Sequence, residues 1–119
     1  MNKKFKGVGI GAGYFSPFQY EAWQRIPEVE ITAMCNRDQE KAKPYMKKYS
    51  IPNHYTDYRK MIETEKPDFV DIITPPETHF EMTKFAADRG IDVICQKPLA
   101  PTFEEAQKIV EYSELAGIR

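Results

Sequence analysis

Gly7-Val8-Gly9-Ile10-Gly11-Ala12-Gly13, near the head of a 119-residue chain, decides the fold. Its four glycines alternate with apolar residues. A strand-like run leads in and an amphipathic segment follows. Such a run brings backbone close to a phosphate. One glycine makes the turn tight, the next lets a pyrophosphate approach, and a third small residue lets a helix pack near the strand. Three registers of this pattern are open. Starting at Gly7 leaves only the polar run Asn2 to Lys6 as a strand, unsuited to a buried parallel strand. Starting at Gly9 puts Tyr14 where a small residue is needed. Starting at Gly11 leaves Phe5 to Ile10 as the strand and places Ser16 at the small position. That register is adopted here. Ser16 and Gln19 have capping-box spacing, and Pro17 suits a first helical turn. Ordinary turns also carry glycine runs, so the rest of the chain must support the reading.

The remainder alternates strand and helix. Val29 to Cys35 is a β-rich run. Asp38 can cap a helix reaching about Tyr49. Ile51 to Tyr55, with Pro52 in it, reads as an edge strand. Asp57 opens a short helix ending before Pro67, and Asp68 to Thr74 is a strand. Pro75-Pro76 is a stiff turn into a helix ending at Gly90. Asp92 to Cys95 is a strand. Thr102 and Glu105 mark a capped last helix ending near Gly117. Strands separated by helices imply a doubly wound parallel sheet covered on both faces, in the order 3-2-1-4-5. Ligands in such sheets bind beyond the carboxyl ends of the strands. No linker, repeat or low-complexity stretch divides residues 1–119, which read as one domain.

Composition narrows the function. The net charge of −1 gives no bulk attraction to nucleic acid or an anionic membrane. No apolar run approaches a membrane span, and the N-terminus lacks a signal-peptide core. Cys35 and Cys95 fit a reducing, cytoplasmic compartment. In the proposed strand order they lie roughly 14 Å apart, too far for a disulfide. His54 and His79 stand alone, outside any zinc-type spacing.

Three strand ends carry candidate chemistry. After the second strand comes Asn36-Arg37, where an acidic residue would accept from an adenosine ribose 2′-hydroxyl. Asn36 is neutral and Arg37 can pair with phosphate, which favours NADP over NAD. A merely solvated Arg37 is the plain alternative. Thr74-Pro75-Pro76 with His79 would line the nicotinamide side of the crevice, or simply stop a strand and start a helix. Gln96-Lys97-Pro98 puts a positive charge where substrate or cofactor would lie, unless Lys97 is only solvated.

Together these pieces resemble the nucleotide-binding domain of the Gfo/Idh/MocA oxidoreductases. The matching elements are Gly11-Ala12-Gly13, Ala33 to Asp38 followed by Glu40-Lys41-Ala42, Thr74-Pro75-Pro76 with His79, and Cys95-Gln96-Lys97-Pro98-Leu99-Ala100. The Thr-Pro-Pro turn with Lys-Pro-Leu-Ala at this separation is the specific part. The resemblance implies a Rossmann domain binding NADP or NAD, with hydride transfer to or from a sugar- or cyclitol-like hydroxyl or carbonyl carbon. It implies that Gly11, Ala12, Gly13, Tyr14 and Phe15 cradle the pyrophosphate and that Asn36 and Arg37 face the ribose. It implies further that Thr74, Pro75, His79 and Gln96 line the cofactor cleft, with Lys97 binding the nicotinamide half and assisting proton transfer. Gln96 stands where the family usually has Glu, which removes a charge beside Lys97. Family members are more than twice as long and add a substrate domain. This chain ends where a sixth strand is expected, leaving the fifth as an edge open to a homo-oligomeric partner. The expectation is a cofactor-binding half that holds dinucleotide with little or no turnover alone. A non-catalytic binding module is the alternative. An S-adenosylmethionine methyltransferase fits poorly, since it wants an acidic residue at Asn36.

Overall fold

The computed structural model describes residues 4–13 and 15–119. Five parallel strands, β1 (Phe5–Ile10), β2 (Val29–Cys35), β3 (Asn53–Tyr55), β4 (Phe69–Ile72) and β5 (Asp92–Cys95), form one sheet ordered β3-β2-β1-β4-β5. This is the doubly wound arrangement expected from the strand–helix alternation. Helices α1 (Ser16–Gln24), α2 (Gln39–Lys48), α3 (Tyr58–Glu65) and α4 (His79–Ala87) fill the four crossovers, and α5 (Phe103–Ala116) follows β5 and packs against α4. Among the described residues no helix is long and apolar enough to cross a membrane.

Two buried clusters line the two faces of the sheet. Val8, Ile10, Ala33 and Cys35 pack with Met61 and Ile62 of α3 and Ala86 of α4. Ala12, Met34 and Ile73 pack with Tyr20 of α1 and Ala42 of α2. Right-handed crossovers of opposite sense put α1 and α2 on one face and α3 and α4 on the other. β2 does not alternate cleanly between these faces. Its register with β1 passes from Gly7↔Ile31 to Val8↔Ala33, so Thr32 is the extra residue of a bulge. Ile31 and Met34, an odd distance apart, therefore pack on the same face.

Most helix starts follow the capping logic of the sequence. Asp38 accepts from the backbone N–H groups of Glu40 and Lys41, Asp57 from that of Arg59, and Thr102 from that of Glu105. α5 stops at left-handed Gly117. The first helix departs from expectation. Its N-cap is Phe15, with no side-chain cap, and Ser16 lies inside the first turn. The Ser16 hydroxyl instead donates to Gly13 O at 2.7 Å, and Gln19 reaches Asp71, so no capping box forms. β3 begins only after Pro52, β4 is shorter than the apolar run containing it, and a single 3₁₀ turn, Pro76–Thr78, precedes α4.

Two buried carboxylates tie helices to the sheet. Glu65, in the last turn of α3, accepts from Tyr55 Oη at 2.6 Å and from bulged Thr32 Oγ1 at 2.8 Å. Asn53 Nδ2 also donates to it, and Lys6 Nζ lies 3.7 Å away. Burial alone would push this carboxyl up, but its hydrogen bonds and the Lys6 charge outweigh burial and hold it below its usual value. Asp71, fully buried on β4, accepts from Trp23 Nε1 at 2.6 Å and from Gln19 Nε2 at 3.1 Å. Here burial dominates and pushes the carboxyl up, partly offset by those two hydrogen bonds.

The two shifts have opposite consequences. A depressed folded pKa contributes stability above the unfolded value that is lost as pH falls through the folded one. A raised folded pKa contributes stability below the unfolded value that is lost as pH rises through the folded one. Glu65→Gln is therefore expected to cost about 1–3 kcal/mol near neutral pH and progressively less in acid. Asp71→Asn, whose amide oxygen still accepts from Trp23, is expected to gain on the wild type as pH rises above the carboxylate range. Urea midpoints of the three proteins from about pH 3 to pH 8 check both signs.

Candidate functional site

A cleft of about 760 Å³ opens at the carboxyl ends of β1, β2 and β4. This is the switch point, where connections from neighbouring strands run in opposite directions. Its floor is the turn after β1. Gly11 there has φ +124°, a conformation few residues other than glycine adopt, and a Cβ would lie 2.7 Å from Ile73 O. Tyr20 Oη donates to Gly11 O at 2.8 Å from beneath and fixes the turn. Burial, helped by the Asp71 charge, pushes the Tyr20 phenol far up, so it remains a donor. Gly13 differs from Gly11. It is outside the left-handed region, and a Cβ would meet nothing within 4 Å. The space above it is open to the cleft. α1 starts directly after it without a side-chain cap, so the positive end of the helix dipole faces the same place, while the Ser16 and Phe18 N–H groups are paired with Gly13 O and Phe15 O. Together they make an anion cradle.

Of the expected cradle residues, Gly11, Ala12 and Gly13 line the cleft. Tyr14 lies outside the described residues. Phe15 is 43% exposed and rests 5.4 Å from the Phe18 ring, away from the cleft wall.

Asn36 and Arg37 border one end of the cleft with Asp38 and Lys41. Asn36 Oδ1 lies 2.6 Å from His54 Nε2. Lys41, three residues beyond the Asp38 cap of α2, belongs to the matching Glu40-Lys41-Ala42 stretch, which gave it no role at the cleft. Asp57, Tyr58 and Arg59 close this end from α3. The Arg59 guanidinium pairs with Glu81 and stacks 4.7 Å above the Tyr58 ring. Cys35 lines the cleft, but burial, with the Asp57 charge adding, pushes its thiol up to about 12, so it is an unreactive wall. Cys95 is likewise pushed up to about 12 by burial, and both thiols are free.

Thr74 and Pro75 line the other end. Thr78 Oγ1 donates to Pro75 O and so accepts from Thr74 Oγ1 at 2.7 Å, which closes the turn on itself. His79 does not face the cleft. It is fully buried, with Nε2 2.7 Å from Thr74 O and Nδ1 2.9 Å from Leu99 O. Each ring nitrogen meets a carbonyl, so His79 joins the turn after β4 to the loop after β5. Gln96 Oε1 accepts from the Lys97 backbone N–H at 2.8 Å, folding the amide back onto its own loop. Lys97 is exposed beyond the cleft wall, ahead of a cis bond to Pro98.

A doubly wound sheet with an open glycine cradle at its switch point defines a nucleotide-binding α/β domain. The model of the Gfo/Idh/MocA oxidoreductase family, described by its NAD-binding Rossmann fold, matches residues 5–119, and the chain belongs to that family. The chain is 39% identical over 116 residues to D-apiose dehydrogenase of Paraburkholderia graminis, a match covering 98% of this chain and 31% of that protein. It is 33% identical over 91 residues to D-xylose 1-dehydrogenase (NADP(+)) 2 of Haloferax volcanii, covering 76% of this chain and 28% of that one. Among solved structures, an oxidoreductase from Agrobacterium radiobacter in complex with NAD+, L-tartaric acid and magnesium superposes with a TM-score of 0.92 at 33% identity. That match covers 98% of this chain and 34% of the other. The chain thus spans about a third of the length of these relatives. The family and fold read from the sequence are borne out.

The two glycines of the cradle separate folding from binding. Gly13→Ala is expected to unfold within about 0.5 kcal/mol of the wild type, because nothing opposes the methyl. Its affinity for dinucleotide is expected to fall at least about tenfold, because the methyl occupies the approach path. Gly11→Ala is expected to lose on the order of 2 kcal/mol or more through backbone strain and the Ile73 contact. Thermal melts with and without dinucleotide measure both.

Proposed function

We propose that this chain is the cofactor-binding half of an NAD(P)-dependent oxidoreductase acting on a sugar- or cyclitol-like substrate. In this reading it holds the dinucleotide, prefers NADP, and turns over little or nothing without a substrate domain. The open cradle at Gly13, beside the uncapped start of α1, is the observation that carries it. The named activities of the relatives, D-apiose and D-xylose dehydrogenation, support the substrate class. Two free, buried or half-buried thiols fit work in a reducing compartment.

The residues present fit the group. The pyrophosphate would lie over Gly11 to Gly13, held by backbone N–H groups. The adenosine ribose would reach Asn36 and Arg37, where Arg37 and Lys41 supply the positive charge a 2′-phosphate needs. Thr74 and Pro75 would border the nicotinamide end. The bound nicotinamide would supply the hydride acceptor or donor. Lys97 would hold the substrate oxygen and accept its proton as the carbon gives up hydride, or return it in the reverse direction. His79 would keep the Lys97 loop in register with the Thr74 turn by its two carbonyl contacts.

Parallel thermal-shift titrations with NADPH, NADH and S-adenosylmethionine test this reading. Ligand at a hundred times its dissociation constant adds about 2.7 kcal/mol. The expected result is a shift with NADPH larger than that with NADH, and none with S-adenosylmethionine. Arg37→Ala and Lys41→Ala are each expected to weaken NADPH several-fold and leave NADH nearly unchanged. A folded sample that responds to neither nicotinamide cofactor overturns the proposal.

A further inference from the structure

We infer that His54 is a specificity-determining positioning residue, which holds the Asn36 amide so that its nitrogen faces the cleft as a donor and thereby favours a 2′-phosphate. The inference rests on the reading that this cleft takes a dinucleotide with its ribose at Asn36.

The argument begins with the donor inventory. A side-chain amide has an accepting end and a donating end, and which end faces a ligand depends on what holds the other. The Asn36 main chain is already fixed, because its N–H donates to Tyr55 O at 3.1 Å. Its Oδ1 lies 2.6 Å from His54 Nε2. An amide oxygen only accepts, so Nε2 carries the proton and donates. The NH2 end then points away from His54, and among the described residues no protein acceptor takes it. Asn36 itself lines the cleft.

The partner suits this task. His54 is the middle residue of β3, paired in register with Met34. It is half-buried, and burial pushes its pKa down, so the ring donates one N–H and adds no charge. Its effect on a ligand is then transmitted through the orientation of Asn36 alone. A phosphate is an acceptor and gains from an NH2 donor beside Arg37 and Lys41. An unphosphorylated ribose hydroxyl, which can donate as well as accept, gains less from a donor and more from a free oxygen. Asn36 thus acts opposite to the carboxylate that would select NAD at this position, and His54 is what sets the sign.

Dissociation constants of the full chain for NADPH and NADH, measured by calorimetry on the wild type, His54→Leu, His54→Gln and Asn36→Asp, test this. The wild type is expected to prefer NADPH. His54→Leu frees the amide and is expected to weaken NADPH about fivefold to tenfold, with NADH changed less than about twofold. His54→Gln, whose amide nitrogen can donate in place of Nε2, is expected to restore most of the preference. Asn36→Asp is expected to weaken NADPH and tighten NADH. A solution NMR readout on the wild type serves even if His54→Leu fails to fold. The Asn36 side-chain N–H signals are expected to move strongly on adding NADPH and weakly on adding NADH. Equal weakening of both cofactors by His54→Leu, no weakening of either, or Asn36 amide signals that NADPH leaves in place overturns the inference while leaving dinucleotide binding intact. A folded wild type that binds neither cofactor instead overturns the underlying reading and this inference with it.

Discussion

On the α1 side of β1 there is no room for a Cβ, and much of the molecule follows from that. A methyl on Gly7 would lie 2.2 Å from the Phe69 ring, and one on Gly9 would lie 2.5 Å from the Tyr20 ring. Two aromatic rings rest directly on bare backbone. Tyr20 belongs to α1, so its seat on Gly9 sets how closely that helix approaches the sheet. Its hydroxyl then reaches Gly11 O and holds the turn whose next glycine is open to the cleft. Trp23, one turn further along α1, lies 4.8 Å from the Phe69 ring and donates to Asp71. Gly7 and Gly9 are thus packing glycines, and Gly11 and Gly13 are turn and cradle glycines. All four serve one end: α1 pressed against β1, with its first turn aimed at the cleft.

The two buried carboxylates secure the opposite faces by different physics. The Glu65 carboxylate collects donors from two strands and a charge from a third. It belongs to α3, its donors include Thr32 on β2 and Asn53 and Tyr55 on β3, and Lys6 of β1 adds a charge. A carboxylate so surrounded is worth more ionised than neutral. Asp71 has only two donors, both to Oδ2, and among the described residues its buried Oδ1 has no partner. An under-solvated carboxylate is a cost that the surrounding packing must offset. α3 is therefore held to the thin β3 edge by favourable electrostatics, whereas α1 is held by ring packing despite unfavourable electrostatics.

The strand–helix alternation made the sheet order legible, because right-handed crossovers leave few ways to arrange five such strands. β1, β2 and β5 match the apolar runs to the residue. The helix starts at Asp38, Asp57 and Thr102 were legible because a short acceptor beside the first N–H groups is a local signal. Ser16 misled for the same reason. The helix starts one residue earlier than its spacing implied, with Phe15 at the cap, so the Ser16 hydroxyl lies inside the first turn and donates back to Gly13 O instead of accepting. The bulge at Thr32 was hidden because it depends on register against β1, not on β2 itself. His79 was found by its motif, but its place behind the cleft depends on a carbonyl twenty residues away at Leu99. Lys41 lay in the matching Glu40-Lys41-Ala42 stretch but was given no role, and His54 carried no motif at all. Lys41 lines the cleft from the first turn of α2, and His54 reaches its wall only through Asn36, because β3 pairs beside β2.

The charge at the ribose end has to be judged after its acids are accounted for. Asp38, Asp57 and Glu81 all line the cleft and by number alone would cancel its cations. Each already has an internal task. Asp38 caps α2, Asp57 caps α3, and Glu81 pairs with Arg59 while accepting from Tyr58 Oη. A carboxylate engaged with helix N–H groups has much of its field balanced by the helix dipole. Arg59 is balanced in turn by Glu81. Arg37 and Lys41 are left facing solvent and the cleft with no ion pair among the described residues, at the positive end of a ten-residue helix. Two cations without an ion pair therefore stand at this end although the chain as a whole carries −1. An anion larger than a hydroxyl is the ligand group that such a place attracts, and this supports the preference proposed for NADP.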